Sequence, residues 1–391
     1  MTRILVECPD LIASVRLGVL DPLHFWEMQE KCTVRFCKTA SIKKRDIEWC
    51  DILISVRGFE VPSERIVKIA KSSGRFCVYF LDDDLADMPP EIPSADFAIR
   101  SDAKRHIKEI LQHCDVLWAV NAQLAKKYQA WCARAVVARV PAEVVAYSSG
   151  KFYKERINVL YAGSTDHERM IREQLAPAVR KISEEYPEKF QFVFVGVSPG
   201  LKDLNNVRYL PFMDAYEKYR IFVQNGQFSL GLAPIKNGFF YRCKYYNKFI
   251  EYASMGIVGI YADQIPYTLI VRDQVNGFLC KSTPEAWYKA ILAAASDRQR
   301  LEQCAGRAAE QLRLDFSAEA VGELLYNEIP ELISYQAPAV KVRWPLFPPV
   351  VAYYQERLLY NFRCFGLLAI IVLIFKVLRM FWKYLRRRKD E

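Results

Sequence analysis

Short apolar runs alternate with stretches of helical periodicity from the N-terminus onward. RILVEC, TVRF, CDILISV, RFCVYFL, DVLWAV and AVVARVP are brief and rich in β-branched or aromatic residues, as strands are. Between them, HFWEMQEK, SERIVKIAKSSG, SDAKRHIKEILQHC and AQLAKKYQAW place apolar residues at helical spacing. The alternation stops at AYSSGKFYKERI and then resumes. INVLYAGS, FQFVFVG, VRYLPF, FSLGLAPI, VGIYAD and GFLC read as strands. HERMIREQLAPAVRKISEEY, DAYEKYRIFVQNG, YYNKFIEYASMG and PEAWYKAILAAASDRQRLEQCAGRAAEQL read as helices. Strand–helix alternation predicts parallel sheets covered by helices on both faces. The expected class is therefore α/β, with two doubly wound domains of similar size facing a cleft. The boundaries expected are 1–145, a linker over 146–156, a second domain over 157–335, and a Pro-rich connector with a helical tail over 336–391.

The tail changes the picture of charge. The chain carries a formal net charge of +10, but from Lys341 onward there are 11 Lys/Arg against 3 Asp/Glu, leaving 44 and 42 in the rest. A nearly neutral body with a basic, apolar end argues for an anionic surface met by that end, and against a nucleic-acid groove in the body. The uncharged run Cys364–Phe375 has 12 residues. At helical rise that is roughly 18 Å, short of a ~30 Å hydrocarbon layer. A tilted span over 358–382 with snorkelling Arg363, Lys376 and Arg379 stays open. An in-plane or re-entrant anchor on the cytoplasmic face of the inner membrane is favoured, because a span would put the basic end in the cytosol and the body outside. The alternative is a helix packed on the protein's own body. Eleven cysteines lie scattered without a Cys-x-x-Cys pair and read as reduced core thiols in a cytosolic compartment. Only four histidines are present, and none has zinc-site spacing with Cys, so a zinc site is not expected.

The stretch 236–256, KNGFFYRCKYYNKFIEYASMG, carries the densest candidate chemistry. Lys244, Lys248 and Glu251 stand at spacings of four and three, which on one helix puts them on one face. Two cations near a helix start could meet phosphate oxygens, and the carboxylate could accept from ribose hydroxyls. A solvated amphipathic face is the plainer alternative. Gly163-Ser164-Thr165-Asp166-His167 follows a strand and opens a helix, where small residues let a phosphate or sugar approach the backbone. One of Ser164, Thr165 or Asp166 is expected to cap that helix. Arg57 follows the strand CDILISV, and Asp82-Asp83-Asp84 follows RFCVYFL, so both fall where strands end at the predicted cleft. Adjacent carboxylates repel unless paired, and Arg57 is a natural partner. The run could position an acceptor hydroxyl, act as a base or bind a metal. Asn121 ends DVLWAV and either faces the cleft or makes a turn. His24, His106 and His113 read as surface or satisfied packing residues.

Lys244, Lys248, Glu251-Tyr252-Ala253, Gly256, the strand VGIYAD and the turn Asn276-Gly277-Phe278-Leu279 together resemble the donor-binding signature of GT-B glycosyltransferases. The likeness is nearest to the family 4-like (glycosyl transferases group 1) enzymes of bacterial cell surfaces and covers residues 1 to about 330. Val258 stands where that pattern has Pro, and Cys243 where the wider family has an earlier Glu that meets the donor sugar. The resemblance implies two Rossmann-like domains and transfer of a sugar from a nucleotide-diphosphate sugar to an acceptor such as lipopolysaccharide, capsule or exopolysaccharide. It implies retention at the anomeric carbon and no cofactor or metal. It gives Gly163, Ser164, Asn237, Gly238, Lys244, Lys248 and Glu251 donor-side roles, and His167, Arg57 and Asp83 places at the reacting centre. A non-catalytic nucleotide-binding scaffold and a nucleotide-sugar epimerase of the same fold remain as alternatives.

Overall fold

The computed structural model describes residues 1–92, 95–213, 215–346, 348–366 and 371. Two six-stranded parallel sheets form its frame. The first contains β1 (Thr2–Cys8), β2 (Cys32–Lys38), β3 (Ile52–Val56), β4 (Phe76–Leu81), β5 (Val116–Ala119) and β6 (Ala135–Val137), in the order β2-β1-β3-β4-β5-β6. The second contains β7 (Ile157–Ala162), β8 (Phe190–Val195), β9 (Val207–Leu210), β10 (Leu230–Ala233), β11 (Val258–Ala262) and β12 (Phe278–Cys280), in the order β12-β11-β10-β7-β8-β9. Central strands covered on both faces need continuous apolar runs. β3, ILISV, is buried at every position, as are LGLA of β10 and VGIYA of β11.

Each sheet reverses its winding once. In the first, the chain builds outward from β1 to β2, then returns to lay β3 on the other side of β1. In the second, it runs β7, β8, β9 and then returns to place β10 beside β7. Loops leaving the two strands at such a reversal diverge to opposite faces and open a crevice at their carboxyl ends. The loops after β1 and β3 flank one crevice. The loops after β7 and β10 flank the other. Arg57, Gly163 and the 234–246 loop are thus all placed by topology.

Several elements differ from the sequence expectation. The long pattern PEAW…EQL is two helices, Pro284–Ser296 and Arg298–Asp315, because the Asp297 side chain accepts from the Arg300 N–H and starts a new helix. Lys244 is not on the helix with Lys248 and Glu251. That helix is Asn247–Ser254, and Lys244 sits in the turn before it. Beyond Asp315 the chain crosses back to the first lobe. Phe25 lies against Gly322 in the Ala318–Glu328 helix, Arg134 pairs with Glu331 at 2.8 Å, and the Tyr335 hydroxyl donates to the Gly74 carbonyl.

The start of the tail packs on the body. Helix Pro349–Phe365 lies on helix Val61–Ser72, with Ala352 buried. Arg357 reaches the buried Glu60 at 2.8 Å and stacks 4.1 Å from the Phe97 ring. Tyr360 donates to Asp96 at 2.8 Å, and Arg363 to the Arg100 carbonyl at 3.0 Å. Among the described residues no helix is long and apolar enough to cross a membrane. Most of the stretch expected over 358–382 to span or lie in a membrane falls outside the described residues. All eleven cysteines are free, and eight of them are buried.

Candidate active site

The site is built on the two crevices, which face each other. After β7, Gly163 allows a close approach: a Cβ there would fall 2.5 Å from the Tyr161 hydroxyl and 2.8 Å from His167 Nδ1. Those two groups are hydrogen-bonded to each other at 2.8 Å. Burial, followed by the nearby Lys244 and Lys248 charges, pushes the His167 ring down to about 4. Its imidazole is therefore neutral at physiological pH, and with Nδ1 bonded to Tyr161 it has the other ring nitrogen to offer. Ser164 holds the N-cap position of this turn, but its side chain makes no capping bond and stands exposed.

The second wall is the loop after β10. Asn237 and Gly238 stand exposed at its tip, and Gly238 has φ +139, a conformation that side chains resist. A short helix, Phe239–Arg242, follows, and the chain then turns into Asn247–Ser254. Lys248 donates to Glu251 Oε2 at 2.7 Å, and Tyr219 bonds the other Glu251 oxygen. Cys243 is fully buried, so it cannot take the place of a sugar-binding carboxylate.

The first lobe reaches this wall directly. Lys244 Nζ donates to Asp83 Oδ1 at 2.8 Å, across 161 residues of chain. Arg57 binds the same carboxylate at Oδ2, 3.3 Å away, and also bonds Asp82 and Ser14. Arg57 has φ +54, a strained value for a long side chain, and such outliers collect where function fixes a backbone. Burial alone would raise the Asp83 carboxyl. Lys244 and Arg57 overcome it and hold the group below the usual carboxylate range. Asp84 turns away to Lys127, at 2.5 Å, and to the Tyr128 hydroxyl, at 2.6 Å. Asp82 and Asp83 therefore share Arg57, Asp83 adds Lys244, and Asp84 alone turns to Lys127. Among the described residues no group of three His, Cys, Asp or Glu gathers as metal ligands would.

Two further contacts close the lobes on each other. Asn121, at the end of β5, caps the next helix through its oxygen and donates from its nitrogen to the carbonyls of Arg242, 3.3 Å, and Lys244, 2.8 Å. Phe240 packs on Ile92 and Ala95 of the first lobe. Between the lobes lies a cleft of about 550 Å³, lined by Gly18, Asp82 and Val140 from one side and Glu217, Asn247 and Glu251 from the other.

No protein-family model matches the chain, and no curated protein matches its sequence. Solved structures do match. HepE from Anabaena, in complex with UDP and glucose, superposes with a TM-score of 0.62 at 12% identity, over 84% of this chain and 100% of that one. Sucrose-phosphate synthase from Thermosynechococcus elongatus gives 0.61 at 11% identity, over 85% of this chain and 100% of that one. The lipopolysaccharide outer core galactosyltransferase WaaB, in its apo form, gives 0.54 at 13%, over 84% and 99%. The fold is GT-B. Its second lobe holds Gly163, Ser164, His167, Asn237, Gly238, Lys244, Lys248 and Glu251, and its first lobe holds Arg57 and Asp83.

The sequence did not single out Tyr161 or Tyr219, which orient His167 and Glu251. Tyr161 carried a signal: it is a polar-tipped aromatic two residues before a Gly at a strand end. Tyr219 carried none, since its partner is 32 residues away. His106 is buried and bonded to Glu64 at 2.6 Å, a satisfied packing histidine.

Proposed function

We propose that this GT-B protein is a glycosyltransferase that moves a sugar from a nucleotide-diphosphate sugar to an acceptor. One observation carries the reading. Lys244 and Lys248 stand at the crevice beside Gly163 and the neutral His167, each held by one carboxylate, Asp83 or Glu251. A diphosphate brings more charge than a single carboxylate and can displace it from an ammonium group. Lys244 and Lys248 would then neutralise the leaving diphosphate as the bond from the anomeric carbon to its oxygen breaks. Glu251, freed from Lys248, would accept from the ribose. Asp83, freed from Lys244, would accept a hydrogen bond from the acceptor hydroxyl whose oxygen forms the new bond. Its low affinity for protons suits it to positioning, and the hydroxyl proton leaves with the departing phosphate. A neutral His167 can bond a sugar hydroxyl without adding charge. Ser164, Asn237 and Gly238, exposed at the two loop tips, would line the sugar. The ammonium groups supply the charge that a divalent metal supplies in other transferases, so this mechanism uses no metal.

HepE was solved with UDP and glucose, which makes UDP-sugars the first donors to test. The acceptor we infer is lipid-linked or a surface polysaccharide, handled at the cytoplasmic face of the inner membrane. The support is the basic, apolar end of the chain and the likeness of fold to a lipopolysaccharide galactosyltransferase. A screen of nucleotide sugars by thermal shift tests the donor reading, since a ligand of the native state raises the melting temperature. A UDP-sugar should raise it in the wild type and much less in Lys248→Ala. No shift and no turnover with any nucleotide sugar would overturn the proposal.

A further inference from the structure

The helix that begins the tail does more than rest on the first lobe. Between it and the helices Val61–Ser72 and Ala103–His113 runs a groove of about 360 Å³. Four guanidinium groups line it: Arg65, Arg100, Arg105 and Arg363. Two of these are already engaged. Arg100 pairs with Asp96 at 2.6 Å, and Arg105 with Asp102 at 2.9 Å. Arg65 and Arg363 have no carboxylate partner among the described residues. They come from opposite walls, Arg65 from the body and Arg363 from the tail helix. Among the described residues the Arg363 side chain makes one hydrogen bond, to the Arg100 carbonyl at 3.0 Å, which fixes it at the groove with no carboxylate against it.

The same tail helix turns an apolar face outward beside this groove. Tyr354, Leu358, Leu359 and Phe362 are 65%, 38%, 56% and 45% exposed, and Leu359 also lines the groove. Directly after the helix, the sequence continues into the uncharged run that ends at Phe375. Two carboxylates also line the groove, Asp102, which pairs with Arg105, and Glu356, which accepts from the Val61 N–H, so four guanidinium groups face two acids. A slot with this excess of cations beside an apolar face fits a phosphate joined to hydrocarbon chains. A soluble phosphate would leave that face bare, whereas a phospholipid offers the phosphate and the hydrocarbon in one molecule.

We propose that the groove between the tail helix and the first lobe seats the phosphodiester of an anionic glycerophospholipid, with Arg65 and Arg363 as its two clamps. This rests on the membrane-surface reading above and names the partner's chemistry. Guanidinium forks match phosphate oxygens in pairs, and two of them on separate elements set a fixed orientation of the body over the surface. The tail then tethers, and the groove aligns.

The test is sedimentation of the full chain with vesicles. One set is phosphatidylcholine alone, and the other contains phosphatidylglycerol. Wild type should favour the phosphatidylglycerol vesicles. The double variant Arg65→Gln/Arg363→Gln should lose that preference by about tenfold or more, as two basic groups at an anionic surface contribute. Its binding to phosphatidylcholine should be unchanged. A control, Lys289→Gln/Arg307→Gln, removes equal charge from an exposed site on the second lobe. Equal loss in the control, or none in the double variant, overturns the groove while leaving membrane attachment intact. Saturable binding of inorganic phosphate that the double variant abolishes, with vesicle preference untouched, reassigns the groove to a soluble phosphate and also overturns it. No vesicle binding by wild type sinks the membrane reading and this one together. Sugar transfer is measured separately, so its failure is a different result.

Discussion

At the scale of single residues, the site is a set of charges that satisfy one another. Lys244 and Asp83 are joined across the lobes, and Arg57 shares the same carboxylate. Asp83→Asn keeps the shape and removes the charge. It should free Lys244 and tighten binding of free UDP by several-fold, while transfer falls by about tenfold or more because the acceptor hydroxyl loses its charged partner. Binding by calorimetry and transfer by product release separate the two effects, and weakened UDP binding would sink the exchange idea. His167 gives a second prediction with a sign. Its pKa is about 4 in the folded chain against 6.5 for an ordinary imidazole. Below pH 6.5 the unfolded chain takes up a proton that the native ring refuses, so stability falls as pH drops from about 6.5 to about 4. The full effect is at most about 3 kcal/mol. His167→Gln should flatten that part of the stability profile in urea melts between those limits. A slope identical to wild type would mean the ring is not shielded as described.

At the scale of elements, buried groups decide what the site can hold. Gly196, just past β8, has φ +82, and a Cβ there would lie 2.1 Å from the Gly163 carbonyl oxygen. Gly196→Ala should cost about 1–3 kcal/mol through strain and the forced shift of the Gly163–His167 loop. The KM for donor should rise along with the loss of stability. Lys151 is a different case. Its ammonium nitrogen donates to the Met255 carbonyl, at the C-terminal end of the Asn247–Ser254 helix, and burial lowers it from 10.5 to about 7. Between those values the unfolded chain holds a proton that the native one sheds, so stability rises with pH across that window. Lys151→Met should therefore stabilise the protein at pH 7 and lose that advantage by pH 10, as read from melting temperatures. These elements also show what the sequence could reveal. β3, β10 and β11 were legible because burial on both faces demands unbroken apolar runs. The helix break at Asp297 was written as a Ser-Asp cap inside an otherwise continuous periodicity, and periodicity alone read through it. The place of Lys244 was not legible, because no local pattern reports the pull of Asn121 on its carbonyl from 123 residues away. Spacing placed Lys248 and Glu251 on one helix, as they are, and put Lys244 on that helix when it stands in the turn before it.

At the scale of the whole molecule, the tail has two parts with different consequences. The helix Pro349–Phe365 belongs to the body, because Arg357 answers the carboxylate of Glu60, which is 3% exposed. Beyond Gly366 the sequence carries most of the apolar run and the basic end. Two truncations separate these roles. A chain ending at Gly366 keeps every contact described for the helix and loses 25 residues rich in Leu, Ile, Phe and Arg. It should melt as the full chain does and sediment with membranes far less. A chain ending at Pro349 also loses Arg357, leaving Glu60 without its cation beside Glu7, itself fully enclosed by Thr39, Ser55 and Ser63. Removing one partner of a buried ion pair costs about 3–5 kcal/mol, less whatever protonation and the entry of water at the uncovered face recover. That loss should ease at low pH, because burial already raises the Glu60 carboxyl and protonation removes the unanswered charge. The shorter chain should thus be unstable at neutral pH and regain part of its deficit towards pH 5. Membrane release by both chains, with instability confined to the shorter one, fits a docked helix followed by a tether. Equal melting of both chains would mean that the helix contributes nothing to the body, and that Glu60 finds another partner when Arg357 is gone.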